Sequence, residues 1–228
     1  MYFLTPRAWD SLPLHLTTDE IKDPHEVIHE YFNAFDFPYA RKRLIKWLHS
    51  TCQEKPPKQS ASGLLFFYEK TLSLIEAAHL VAQMDNGDRK AIVILKTDEP
   101  EINPMAPYLY YAWLSAQNEP APPRSAWDNF PRSLTYKEFL NPYLVFEKFF
   151  SFLTLGEWRQ ILGELFSMGL SRYSFLADGL DFDILAVRTH LEKLIESAHL
   201  IDVREFRQSY YQKINALRNE EKDTDLTN

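Results

Sequence analysis

The sequence predicts an all-α protein built from two tandem, related helical units of about four helices each, and three observations predict it. Residues 8 to 50 laid on residues 126 to 168, a constant shift of 118, agree at twelve of 43 positions without a gap, where composition alone would give about three. Apolar residues recur at helical spacing behind capping residues in both stretches. Six glycines against 14 prolines leave little material for tight β-hairpins. The first unit is expected over residues 5–118 with an insertion at 85–104, the second over 123–219, and a polar, flexible tail over 220–228.

The matched text fixes the elements in order. AWDSLP is answered by AWDNFP, and LTTDEI by LTYKEF; Thr17 with Glu20, and Thr135 with Glu138, have capping-box spacing for a short helical turn. Asp23 before Pro24, and Asn141 before Pro142, are N-cap and first-turn signals for a helix of about a dozen residues. Val27, Ile28, Tyr31, Phe32 and Phe35, matched by Val145, Phe146, Phe149, Phe150 and Leu153, give it one apolar face. Asp36 and Thr154 open the next helix, and Gly169 reads as the stop of the second copy. A third long helix is expected from about Ser62 to Met84 and from about Asp183 to Ile201. Here LIEAAHL at 74–80 meets LIESAHL at 194–200 after a slip of two residues. A weaker match pairs residues 108–116 with 209–216, and AIVIL at 91–95 is the best strand candidate.

Composition narrows the function classes. A single cysteine, Cys52, excludes an internal disulfide framework and a cysteine-rich zinc module, and no apolar run is long enough to span a membrane. The amino-terminal residues lack the pattern of a secretory signal, which points to the cytoplasm. A net charge of -7 argues against broad nucleic-acid binding, because phosphate contacts need a cationic face.

Motifs that could carry chemistry are few. His25-Glu26-Val27-Ile28-His29 has the spacing of two zinc-ligating histidines with a glutamate base. Its counterpart positions are Tyr143, Leu144 and Glu147, so a solvated first turn is the expectation. Glu76 with His79, and Glu196 with His199, repeat the Glu-x-x-His spacing of di-iron bundles. Helical projection puts both glutamates on a polar, solvent-facing arc and both histidines at its edge, and no metal or other cofactor is expected. Arg41 and Arg159 are equivalent, as are Asp10 and Asp128, and the arginines are expected to bind the Trp9–Asp10 and Trp127–Asp128 turns. Only the first copy is basic around its arginine, at Arg41, Lys42, Arg43 and Lys46; Gln160, Ile161 and Glu164 replace the three lysine and arginine neighbours.

The resulting expectation is a non-enzymatic helical interaction or regulatory protein. The alternative is a metal-dependent enzyme or small-ligand-binding protein with a site between the two units. The two differ in where Asp10, Arg41, Glu76, His79, Asp128, Arg159, Glu196 and His199 point: into one cavity for an enzyme, or into local pairs otherwise. A protein partner or a second copy is expected to use the first unit, through Arg41, Lys42, Arg43 and Lys46 or through the β-prone Ile92 and Ile94.

Overall fold

The computed structural model describes residues 9–52, 60–84, 128, 130–171 and 182–207. Within them the chain forms α1 (Thr18–Lys22), α2 (Pro24–Ala34), α3 (Phe37–Thr51), α4 (Ala61–Gln83), α5 (Tyr136–Leu140), α6 (Tyr143–Phe152), α7 (Leu155–Leu170) and α8 (Ile184–Asp202), and α8 runs on into a π-helical turn, Val203–Arg207. Among the described residues the protein is all-α, with no strand. The strand candidate at 91–95, with Ile92 and Ile94, lies outside them, as do the helix pairing of 108–116 with 209–216 and the tail.

Capping side chains start these helices where the sequence places them. Thr17 and Thr135 each accept from the backbone N–H three residues on, while Glu20 and Glu138 reach back to the cap N–H. Asp23 caps α2 with Pro24 in its first turn, and Asp36 caps α3. Thr154 and Glu157 form the expected box on α7. The start of α6 falls one residue later than expected, with the Asn141 carboxamide oxygen accepting from the Tyr143 N–H at 3.2 Å.

Packing then joins the two series. α4 lies against α2, α6 and α7, while α8 lies against α2, α3 and α6, and α3 touches α7. One contiguous apolar core results, drawing Ile28, Leu44, Leu64 and Ile75 from the first series and Phe146, Trp158, Leu162 and Ile195 from the second. Two contacts join residues 118 apart in the chain. The Trp47 indole N–H donates to the Leu165 carbonyl at 3.1 Å, and the Tyr143 hydroxyl stands 3.4 Å from His25 Nε2.

Gly169 does not stop its helix. α7 continues to Leu170, and Gly169 is buried beneath the indole of Trp47. A Cβ at this position would lie 3.0 Å from Leu64 Cδ2 and 3.2 Å from two atoms of the Trp47 ring, both fully buried side chains. The residue is glycine because two helices cross there at close range, which helical periodicity alone does not reveal. Gly169→Ala gains up to about 1 kcal/mol of helix propensity but overpacks an unyielding contact at a cost of about 1–3 kcal/mol. The expected outcome is a lower midpoint of thermal unfolding, read by circular dichroism.

Candidate functional site

Two carboxylates on the long helices organise the polar interior. Projection places Glu76 and Glu196 toward solvent, but both are fully buried. The cover comes from the non-helical segments that precede α1 and α5. They lie across the arc that a helical wheel leaves open. Glu76 accepts from the His15 backbone N–H at 2.6 Å and pairs with His15 Nδ1 at 2.7 Å. Glu196 accepts from the backbone N–H groups of Arg132 and Ser133 at 2.9 and 2.7 Å. Each glutamate thus ties the start of its own series onto that series' longest helix.

Each glutamate also meets the arginine of the other series. Arg159, on α7, donates through Nε and Nη2 to Glu76 Oε1 at 2.8 and 2.6 Å, and binds the carbonyls of Asp10 (3.0 Å) and Leu12. Arg41, on α3, places Nε 3.6 Å from Glu196 Oε1 and donates to the Phe130 carbonyl at 3.2 Å. Arg159 thus binds the turn at Asp10, while Arg41 binds at Phe130, two residues beyond Asp128, and each arginine meets the opposite series. The histidines follow suit. His79 packs edge-on against Phe150, and His199 packs beside Phe32 and stacks flat on Phe37, 4.3 Å between centroids.

The two carboxylates titrate in opposite directions. For Glu76, burial pulls the pKa up, but hydrogen bonds from His15 and the Arg159 guanidinium outweigh it and hold the group below its ordinary value. For Glu196, burial is the larger effect and raises the pKa, against backbone hydrogen bonds and a more distant Arg41. Glu138 is buried as well. Burial opposes its charge, yet Lys148 at 2.8 Å, the Thr135 N–H and Lys193 at 2.9 Å bring it from 4.5 down to about 2.

The His25–His29 motif is not a solvated turn either. His25 is buried, with Nε2 3.8 Å from Glu205, and His29 Nδ1 lies 2.6 Å from the buried Asp202. Both partners sit where α8 gives way to the π turn, and that turn also inserts the fully buried Arg204 into the end of α5, donating to the Phe139 and Leu140 carbonyls at 2.8 and 3.5 Å. The orphan carbonyls of a helix C-terminus are thereby satisfied by a cation. Asp202, Arg204 and Glu205 escape a reading of sequence because they follow the last matched heptad, and their only signal is a run of charges closing an apolar helix. Among the described residues, no three or more His, Cys, Asp or Glu side chains gather as a set that could hold a metal ion.

The basic cluster divides. Arg41 is committed to the interior, and the Arg43 guanidinium lies against Gly63 at the start of α4. Lys42 and Lys46 are exposed and, with Pro38, Arg41, Ile45, Asp128 and Arg132, line a groove of about 320 Å³. Asp128 stays at the surface, 4.0 Å from Arg132. Cys52 is half-buried at the end of α3, beside Thr51. Among the described residues no helix is long and apolar enough to cross a membrane. No protein-family model, curated protein or solved structure matches the chain.

Two outcomes follow from the signs. Glu76→Gln, which removes a depressed carboxylate from the Arg159 guanidinium and its His15 hydrogen bonds, is expected to cost about 3 kcal/mol; Glu196→Gln costs less, because there burial outweighs the donors that favour the ionised form. Paired urea titrations at neutral pH measure the difference. A depressed folded-state pKa contributes stability that is complete above the unfolded value and is lost as pH falls toward the folded one. The Glu138 contribution therefore disappears between pH 4.5 and about 2, and Glu138→Gln should flatten the acid limb of the stability curve there.

Proposed function

We propose that the protein is a non-enzymatic helical interaction module of the cytoplasm, made of two duplicated halves related by a pseudo-twofold axis. Support for the duplication comes from contacts that repeat at the sequence offset. The 118 shift carries Arg41 to Arg159, Phe130 to Leu12, and Phe32 to Phe150. The slip of two carries Glu76 to Glu196 and His79 to His199. Each of these groups then meets the other half's version of the same partner. Trp47 and Leu165, like His25 and Tyr143, are counterparts that touch, as residues next to a twofold axis must.

One observation carries the functional reading. The polar residues held by both halves pair off as Arg41–Glu196 and Arg159–Glu76 instead of converging on a shared cavity. Groups consumed in fastening two halves together are occupied by structure. The surface adds apolar side chains suited to contact, among them the connected rings of Tyr39, Phe35 and Phe66, of which Tyr39 and Phe66 are nearly half exposed.

The competing reading, a metal or ligand site between the halves, draws on the His25–Glu205 and His29–Asp202 pairs. Thermal unfolding separates the two. Residues kept for structure destabilise when removed, whereas catalytic or ligating groups are commonly held at a cost and leave the midpoint unchanged or higher when replaced. Arg159→Ala and the double variant His25→Ala/His29→Ala are expected to lower the midpoint by several degrees. An unchanged or raised midpoint in both would sink the interaction reading.

A further inference from the structure

The two halves differ where their amino-terminal turns meet α7 and α3 of the opposite half. In one such place Asp10 sits directly on Gly156: a Cβ at Gly156 would lie 2.8 Å from Asp10 Cβ and 3.0 Å from its Cγ. The 118-residue counterpart of Gly156 is Pro38, which carries a ring where Gly156 carries no side chain. Asp128, the counterpart of Asp10, lies at the surface with its side chain half exposed. The groove of about 320 Å³ opens between it and α3.

Position by position, the groove carries what the closed side lacks. Lys42, Ile45, Lys46 and Arg132 stand where the other half has Gln160, Gly163, Glu164 and Leu14. Gln160 there donates to Glu164 at 3.1 Å, so those two positions satisfy each other. On the open side, Lys42 and Lys46 are four residues apart on one face of α3. Arg132 forms the opposite wall, and Ile45, 40% exposed, lies with Pro38 between them.

We propose that this groove binds an acidic segment of a protein partner, with one apolar side chain of that segment seated on Pro38 and Ile45 and its carboxylates facing Lys42 and Lys46, beside Arg132 and its partner Asp128. The proposal rests on the interaction reading and names the partner's chemistry. In a chain of net charge -7, a local groove with four cations and one carboxylate in its lining both steers the encounter and fixes where it ends. The apolar floor and the spread of the cations along α3 suit an extended segment better than a compact phosphate, which needs converging donors. The carboxylate of Asp128 in the wall disfavours a nucleic-acid backbone.

Panning a random-peptide phage library against the full chain tests this, with Lys42→Glu/Lys46→Glu protein as the counter-selection. The expected yield is peptides in which Asp and Glu flank a Leu, Ile, Phe or Met. Their affinity, measured by fluorescence anisotropy, should fall at least about tenfold in the double variant and in Ile45→Asp. It should weaken with added salt and stay unchanged in Lys22→Glu, a charge reversal on α1. Circular dichroism establishes that each variant is folded. The proposal is overturned by a yield of neutral or basic peptides, by acidic peptides that bind the double variant equally well, or by no peptides at all. Equally fatal would be inorganic phosphate or a single-stranded oligonucleotide showing the Lys42 and Lys46 dependence while peptides show none. The interaction reading is judged by the stability of the arginine and histidine variants, so failure of peptide binding alone removes the groove and leaves that reading in place.

Discussion

A buried carboxylate must be given donors, and most of this molecule's arrangement can be derived from how Glu76 and Glu196 get theirs. Removing an ionised group from water costs several kcal/mol, so each recruits what lies nearest: backbone N–H groups of its own amino-terminal segment and the guanidinium of the opposite series. The first requirement pins a stretch with no regular structure across a long helix. The second fixes α7 beside α4 and α3 beside α8. Apolar burial supplies the driving force for association, but it is indifferent to register. The four-way meeting of carboxylate, backbone, guanidinium and carbonyl accepts one register.

The same constraint is met unequally. At Glu76 the guanidinium is in direct contact and Asp10 closes down on Gly156; at Glu196 the nearest arginine nitrogen is 3.6 Å away and a groove lined by Pro38 and Asp128 lies beside the turn. The opposite pKa displacements of the two carboxylates follow from their donors: at Glu76 hydrogen bonds from His15, whose counterpart is Ser133, and from the Arg159 guanidinium outweigh burial, while at Glu196 burial prevails over backbone hydrogen bonds and a more distant Arg41. Pro38, the counterpart of Gly156, lines the groove together with Asp128.

Fold class, helix order and most helix starts were legible because they depend on local chemistry. Thr17, Asp23, Asp36 and Thr154 cap whatever follows them, and the apolar face from Val27 to Phe35 declares its period. The polar site was legible only as a set of recurring residue types. Its placement was misjudged because a helical wheel asks which face is apolar and assumes that the remainder meets water. Glu76 and Glu196 lie on polar arcs, and His25 in a first turn read as solvated, and all three are covered by segments distant in sequence: residues 10–16, residues 130–135, and the π turn for His25. A non-helical segment has no periodicity, so nothing local announces what it covers. The identity of Glu within LIEAAHL and LIESAHL was the available signal, since a solvent-facing residue has little reason to recur among such apolar neighbours.

The crossed pairing also bears on what counts as a unit here. A boundary drawn near residues 118–123 divides the sequence into two similar halves, yet the first half alone would leave Glu76 buried without Arg159, and the second would leave Glu196 without Arg41. Each would also expose the faces of α4 or α8 that now bury against the other series. Sequence similarity marks two stretches of the chain, whereas the crossed ion pairs and the main apolar core join the described parts of both. That interdependence frees the surface from structural duty. Because the crossed pairs use Arg41, Arg159, Glu76 and Glu196, α3 can carry Lys42, Ile45 and Lys46 where α7 carries Gln160, Gly163 and Glu164 without disturbing the pairing beneath them.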